Sequence, residues 1–567
     1  MLRLFLRRSA RNPNFSCVQS GNLYSTKDQV PSDSQDKVLE DSVEKLPEVT
    51  SSKEPDVIHV KTSLGTIPIK KNPSSNCMVK ITTDEKTGIP NFHFEVEPAR
   101  AKTRRLWERE KAYMKKTLQF WKDQPITYID KDGKYNFNDP SAPVFPNHCD
   151  IVIIGGGAMG SSVAYWLKTL ADASLNVVVV ERDPTYVNAS TVLSVGGLRQ
   201  QFSLEENIEM SKFGAEFLRN INKYLAVEGD PPIDVHFHPY GYLTLATEAC
   251  AEILKENSKL QNTMGARNAL LLPSQLEQRF PWLNTDGIAL GCLGLENEGW
   301  FDPWTLLTAF KRKALDMGVE FIRGEALGFN FRHLNNVLVA GVPAGEFEEL
   351  NYLVVRTDDG ELRPITFSKC VVAAGAFSAQ IARMARIGQG KDLLSTALPV
   401  EPRKRYVFCF HAPDGPGLNF PMTIDPSGTY FRREGLANHY ICGLSPPPHE
   451  EPSCDTLDVD DEYFNNKIWP ILANRVKSFE NLKLKSSWAG FYEFNTYDEN
   501  GIVGYHPYHD NLIFATGFSG HGIQHAPAVG RAISELVEHR TYTTINLDRL
   551  SFERFITEEP MEEKNIW

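Results

Sequence analysis

The sequence predicts an α/β protein organised around a nucleotide-binding sheet, and three stretches carry that prediction. Residues 150–160 read DIVIIGGGAMG, an apolar strand running into a glycine-rich turn. Residues 176–183 read NVVVVERD, a second strand ending on an acid. Late in the chain, CVVAAG (370–375) and LIFATGFSGHG (512–522) repeat the same form, an apolar run ending in small residues. Short, continuously apolar runs bounded by glycine are the signature of parallel strands buried on both faces. SSVAYWLKTLA has helical spacing, so the first two strands and the helix between them form one βαβ unit.

The first turn fits G-x-G-x-x-G at Gly155, Gly157 and Gly160. In that pattern the first glycine permits the tight turn and the second lets backbone approach a pyrophosphate. The third lets the helix lie close to the strand. The helix N-terminus then offers unpaired N–H groups and the positive end of its dipole to the phosphates. Glu181 ends the second strand, where a carboxylate accepts hydrogen bonds from ribose hydroxyls and repels a 2′-phosphate. NAD and FAD both use this unit. The later segments favour the flavin. Ser190 and Thr191 follow Glu181 closely, and Gly196 and Gly197 come next. Gly375 ends a late strand, and Gly517, Gly520 and Gly522 precede a helix over APAVGRAISELV. A second helix N-terminus aimed inward suits the electron-rich edge of a reduced flavin ring.

Composition bounds the rest. The chain has 567 residues, 41% hydrophobic and 23% charged, enough for a sizeable core. It has no apolar run long enough for a membrane-spanning helix. A formal charge of −12 argues against nucleic acid as a partner. Nine scattered cysteines with no CxxC pair argue against a disulfide scaffold or zinc ribbon. Residues 1–27 hold Arg3, Arg7, Arg8, Arg11 and Lys27 and no acid, the pattern of a mitochondrial transit peptide. Residues 28–97 are read as a poorly defined, partly disordered extension: acidic and Ser/Pro-rich to about residue 58, then short strands with turns. Residues 98–122 read as a basic amphipathic helix, packed on its own domain or set against an acidic lipid surface or partner.

With these pieces assembled, the chain resembles the D-amino-acid-oxidase superfamily of flavoproteins, which includes glycine oxidase, sarcosine oxidase and dimethylglycine dehydrogenase. GGGAMG, VVVVERD, ASTVLSVGG, CVVAAGAFS and ATGFSGHG carry the resemblance, which runs from about Cys149 to Arg540. It implies FAD and a Rossmann-like FAD-binding domain in three pieces, 149–235, 301–392 and 496–545. A mixed-sheet substrate domain, 236–300 and 393–495, would be interleaved with it. It further implies Gly155, Gly157 and Gly160 at the pyrophosphate, Glu181 at the adenosine ribose, and Ser190 and Thr191 at the pyrophosphate and ribityl side. Gly196 and Gly197 would pass the isoalloxazine, and Ala326 would hold the adenine. Gly375 would close the second turn, and Gly517–Gln524 would lie against the pyrimidine. Two positions where relatives attach FAD covalently are Leu193 and about Gly490, so FAD is expected to be non-covalent. LSVGGLRQQFSLEENI, ENEGWFDPW, PVEPRKRYV and WAGFYEFNTYDENGIVG resemble most a mitochondrial branch that assists assembly of respiratory complex I. That implies complex I subunits or assembly intermediates as partners, a matrix location, and a possible peripheral contact with the inner membrane.

The catalytic candidates are Arg405, Arg432, His521 and Gln524. In EPRKRYVFCF, Arg403 and Arg405 share one strand face and Lys404 and Tyr406 the other. The pair is either a carboxylate seat or a solvated basic edge. Tyr430 and Arg432 alternate onto one face in TYFRREG, with Arg432 either a carboxylate anchor or a salt-bridge residue. His521 stands at a helix start, as a hydrogen-bonding group at the flavin or as an N-terminal residue without chemistry. Gln524 replaces a lysine that meets the substrate carboxylate in sarcosine oxidase, and an amide is a poorer anion partner. Arg199 lies at one of that enzyme's carboxylate-side arginines, and the second is Phe202. His521 and His525 lack a third ligand, so no metal is expected. The aromatics Trp300, Phe301 and Trp304, and Trp488, Phe491, Tyr492 and Phe494, read as core before they read as a binding box. Two functions follow: an assembly protein that keeps FAD mainly for stability, or an amine or N-methyl amino-acid dehydrogenase or oxidase. A small amine or carboxylate would be the substrate of the latter.

Overall fold

The computed structural model describes strand backbone at 57–62, 65–70, 79–83 and 90–94, then residues 145–171, 174–339 and 342–564. The transit-peptide and basic-helix readings lie outside these residues. The first four strands form two antiparallel hairpins, Val57–Thr62 with Gly65–Lys70 and Val79–Thr83 with Pro90–Phe94. Short strands with turns were expected there.

Two eight-stranded sheets dominate. At the centre of the first lie five parallel strands, Glu320–His333, Val177–Glu181, Ile151–Ile154, Lys369–Val372 and Leu512–Thr516. Antiparallel strands flank them: Glu348–Thr357 and Leu362–Thr366 on one side, Ile502–Tyr505 on the other. Both apolar runs read from the sequence are buried along their length, and alternation splits them between two cores. Val152, Ile154, Val178 and Val180 face Phe329, Val355 and the helix Ser378–Met384. Ile151, Ile153, Val177 and Val179 face the helices Ala158–Leu170 and Gly522–His539.

These two helices cross closely. A Cβ on Gly530 would lie 2.2 Å from Ser162 Oγ, so only glycine fits there. Ser162 Oγ donates to Ala526 O at 2.7 Å, beside Pro527, which supplies no N–H to its own helix.

The second sheet is mixed. Its order runs Lys483–Asn495, Val400–His411, His439–Gly443, Tyr430–Glu434, Met422–Ile424, Tyr242–Ala246, Leu290–Gly294 and Asn268–Leu271. All neighbours are antiparallel except Met422–Ile424 with Tyr242–Ala246. An aromatic core of Phe408, Phe410, Phe420, Phe431, Tyr440, Phe464 and Phe479 backs it. The chain therefore enters this sheet at Tyr242, leaves it after Leu290–Gly294, and returns at Val400.

Candidate functional site

A cavity of about 1290 Å³ runs along the carboxyl ends of the parallel strands and over the long strands Val400–His411 and Lys483–Asn495. Open α/β sheets place ligands at that edge. Gly155 takes φ +101°, and a Cβ on it would come within 2.3 Å of Ala373 O. The first turn therefore closes directly on the small-residue turn after Lys369–Val372. A Cβ on Gly160 would lie 1.9 Å from Gly155 O, so this glycine sets the helix against the strand. Gly157 differs. Its backbone is ordinary, and only Thr191 Oγ1 would lie within 4 Å of an added Cβ. It faces the cavity.

The helix beginning at Ala158 has no side-chain cap of its own. Thr191 Oγ1 accepts the Ala158 N–H at 3.1 Å from a short helix, Ser190–Leu193, and Ser190 lines the cavity beside it. Glu181 accepts from Gly156 N at 2.7 Å and Asp183 N at 2.8 Å. Each carboxylate oxygen keeps a further lone pair toward the cavity for a hydroxyl. Ala326 lies within the strand Glu320–His333 and lines the same end.

At the other end, Gly375 (φ +54°), Gly520 and Gly522 line the wall. Glu493, partly buried, spans these turns: it accepts from Thr516 Oγ1 and Gly517 N at 3.1 Å each, and desolvation pushes its carboxyl up. Ser519 holds a left-handed φ of +43°, which costs a non-glycine residue energy. Three bonds fix it: to Glu493 O, from Asn495 N, and from the Tyr492 hydroxyl. Sequence reading placed both in resembling segments, Ser519 in ATGFSGHG and Glu493 in WAGFYEFNTYDENGIVG, but gave neither a role, because the bonds that define those roles join distant turns.

Two glycines are turn residues behind the wall. Gly196 (φ +69°) would strike Phe301 O at 2.0 Å with any side chain, whereas its neighbour Gly197 lines the cavity. Gly517 (φ +76°) backs onto Ile502 and Val400.

Beyond the turns the cavity widens into a chamber walled by Arg199, Phe202, Tyr242, Tyr430, Tyr492 and His521. Here the four catalytic candidates separate. Arg405 lines the chamber and shares a face with Arg403, but both meet Glu451. Arg405 does so through two hydrogen bonds of 2.7 and 2.9 Å. A bidentate pair of this kind leaves little charge for a substrate. Arg432 is not brought to the cavity wall. Its guanidinium donates to Val195 O, Arg433 O and Glu434, and lies over the Trp300 ring. Its buried position ties the second sheet to the Ser190–Gly197 segment.

Gln524 lies on the wall, yet its amide is committed. Oε1 accepts from Arg199 N at 3.0 Å, and Nε2 donates to Ser211 Oγ at 2.9 Å and to Arg199 O at 3.3 Å. It positions Arg199 and is not presented to a ligand. His521 Nε2 meets Arg199 Nη2 at 2.8 Å. Burial, then the Arg199 charge, hold the imidazole well below its ordinary pKa. It is neutral, accepts at Nε2 and carries its proton on Nδ1.

The aromatics divide as well. Trp300 and Phe301 are core, but Phe491, Tyr492 and Phe494 line the cavity, against the reading of that cluster as packing. Alternation alone does not show which face of a long strand meets a cavity. Leu193 and Gly490 are neighbours, since a Cβ on Gly490 would lie 3.0 Å from the Leu193 Cβ. The two positions that the resemblance marks for covalent attachment thus meet in one wall, and neither has a nucleophile.

A paired glycine cradle, a helix N-terminus and a carboxylate on the second strand define a dinucleotide-binding α/β protein of the flavin type. Residues 150–536 match the family model described as FAD dependent oxidoreductase, and the chain belongs to that family. It is 52% identical over 432 residues to FAD-dependent oxidoreductase domain-containing protein 1 of Xenopus laevis, covering 75% of this chain and 86% of that one. With the Drosophila melanogaster homolog of that protein it shares 50% over 426 residues, 74% and 81% of the two chains. Among solved structures, L-proline dehydrogenase from P. horikoshii superposes with a TM-score of 0.60 at 26% identity, over 74% of this chain and 100% of that one. FAD is the cofactor, and the cradle fits it.

Proposed function

We propose that the protein is a mitochondrial FAD-containing flavoprotein of oxidoreductase fold that assists assembly of respiratory complex I. In this reading it holds its flavin chiefly as part of the fold. The observation that carries the reading is the state of three anchors named from the sequence. Arg405 is neutralised by Glu451, Arg432 is spent on the protein away from the cavity wall, and the Gln524 amide is committed to Arg199 and Ser211. An amino-acid substrate needs such an anchor. A bound flavin stabilises the folded state by mass action whether or not it turns over. Resemblance of the sequence to the complex I branch and the basic, acid-free residues 1–27 support the assembly role and the matrix location.

Gly155, Gly157, the Ala158 helix start and Glu181 would hold the dinucleotide, and the Gly520–Gly522 turn the ring system. FAD, when bound, supplies hydride acceptance. The chain's own residues orient whatever enters: Tyr242, Tyr430 and Tyr492 exclude water, and burial keeps their hydroxyls protonated.

One observation favours a second reading, an active amine or N-methyl amino-acid dehydrogenase. The aromatic chamber is continuous with the cofactor cavity, and the rat protein Dimethylglycine dehydrogenase, mitochondrial, is 25% identical over 450 residues. Two measurements separate the readings. Assembled complex I on native gels should fall when the protein is removed and return with the wild type. The flavin spectrum should stay oxidised on anaerobic addition of sarcosine, dimethylglycine or proline. Bleaching by any of them establishes the second reading.

A further inference from the structure

The segment after the helix Arg554–Thr557 crosses the chamber rim. It is bolted down at Met561, which is buried: Met561 N donates to Asp498 Oδ2 at 3.0 Å, and Asn500 Nδ2 donates to Met561 O. Asp498 is itself fixed by a buried ion pair with Arg554. From there the chain passes to the adjoining segment 203–207, which Asn207 Nδ2 ties to Asn500 Oδ1 at 2.7 Å. Glu563 accepts from Ser203 N at 2.6 Å, Ser203 Oγ at 2.5 Å and Asn207 Nδ2 at 2.6 Å. Lys564 N donates to Ser203 Oγ, and Asn257 donates to Lys564 O at 2.9 Å. Glu562 and Glu563 line the cavity together with Arg199 and Phe202. The Arg199 guanidinium lies over the Phe202 ring at 4.5 Å, one residue from Ser203. Two carboxylates, Glu563 and Glu298, favour the charged form of that guanidinium. Glu298 is buried outside the cavity lining, held by Gln200 N, Gln201 Nε2 and Tyr242 N, while Glu563 is part of that lining.

We propose that Glu563 is a built-in occupant of the anion position beside Arg199. The strap Glu559–Lys564 seats its carboxylate at the chamber rim, so the folded chamber rejects carboxylate ligands and admits neutral or cationic amines. The chemistry is that of charge. A second carboxylate brought beside Glu563 meets like-charge repulsion, and the Arg199 field that would attract it is already compensated. A cation meets the opposite situation, with Glu562 and Glu563 and the aromatic rings of Tyr242, Tyr430 and Tyr492 in one lining. The inference rests on reading the chamber as a ligand site next to the flavin. It is independent of the complex I role.

The test uses the full flavin-loaded protein and Glu563→Gln, whose amide oxygen still accepts from Ser203 while the charge is gone. Acetate and trimethylammonium are titrated separately, and binding is read from the perturbation of the visible flavin bands. Acetate should bind the variant on the order of tenfold or more tighter than the wild type, while trimethylammonium binds the wild type at least as tightly as the variant. Ser203→Ala, which loosens the strap without touching its charge, should shift acetate binding in the same direction by less. Equal acetate affinity in wild type and Glu563→Gln, including no binding to either, overturns the role of Glu563. No response to trimethylammonium in any form removes the premise that the chamber takes ligands. That result is distinguishable, because the complex I assay does not depend on it.

Discussion

Three glycines in one turn differ in what they tolerate, because each meets different atoms. Gly157 has an ordinary backbone and open space toward the cavity, so a side chain there leaves the fold and invades the phosphate seat. Gly157→Val should purify folded and colourless, with the 450 nm flavin absorbance per protein lost. Gly160 faces the Gly155 carbonyl at 1.9 Å, so Gly160→Val must push the helix off the strand. Its expected signature is low soluble yield and a lowered melting temperature, not a clean apoprotein. A colourless but equally stable Gly160→Val would contradict the packing role.

Glu298 is the other residue with a sharp expectation. Burial raises its carboxyl to about 7 from an ordinary 4.5, against the three N–H groups that favour the charged form. A folded-state pKa raised above the unfolded one contributes stability that is complete below the unfolded value. That contribution is lost as pH rises through the folded value. Between pH 4.5 and pH 7 the wild type should therefore lose roughly 3 kcal/mol relative to Glu298→Gln. Urea melts of both proteins across that window measure it. Buried histidines such as His525, held down at about 3, have the opposite sign. They are common to both proteins and cancel in the difference.

At the scale of elements, the crossing of Ala158–Leu170 with Gly522–His539 holds the first turn against the last one. Gly530→Val places its Cβ within 2.2 Å of Ser162 Oγ and two methyl groups beyond it. Overpacking of this kind costs about 1–3 kcal/mol. Because both helices start at the cavity, flavin affinity should fall with stability. Unchanged flavin affinity beside a lowered melting point would separate the crossing from the site. The helices, the parallel strands and the cofactor turns were legible in the sequence, since buried strands and phosphate-binding turns leave local signals: apolar runs, glycines, one acid. The substrate end was not. Arg405 reads as an anchor until Glu451, 46 residues on, is seen to hold it. Arg432 reads as one until the carbonyl of Val195, 237 residues away, accepts its hydrogen bond. Partners so distant follow no period, and neither does Glu563 at Ser203, 360 residues apart.

The molecule as a whole places a cavity between its two sheets. The walls of the cavity come from the first sheet at Gly155, Glu181 and Ala326, from the second at Arg405, Tyr430 and Tyr492, and from the last long helix at Gly522. No single stretch of sequence builds the site, so unfolding any wall should release the flavin, and the flavin should hold every wall. Stabilisation by a ligand that binds only the folded state grows as RT ln(1 + [L]/Kd), about 2.7 kcal/mol at a hundredfold excess over Kd. Stripped protein should therefore melt at a temperature that climbs with added FAD, with intrinsic fluorescence and flavin release following one transition. Leu193 and Gly490 offer no nucleophile, so acid precipitation of the holoprotein should leave the yellow colour in the supernatant. A melting point insensitive to FAD would mean that the walls stand without it. The flavin would then be retained for chemistry, and the weight of the functional reading would pass to the dehydrogenase.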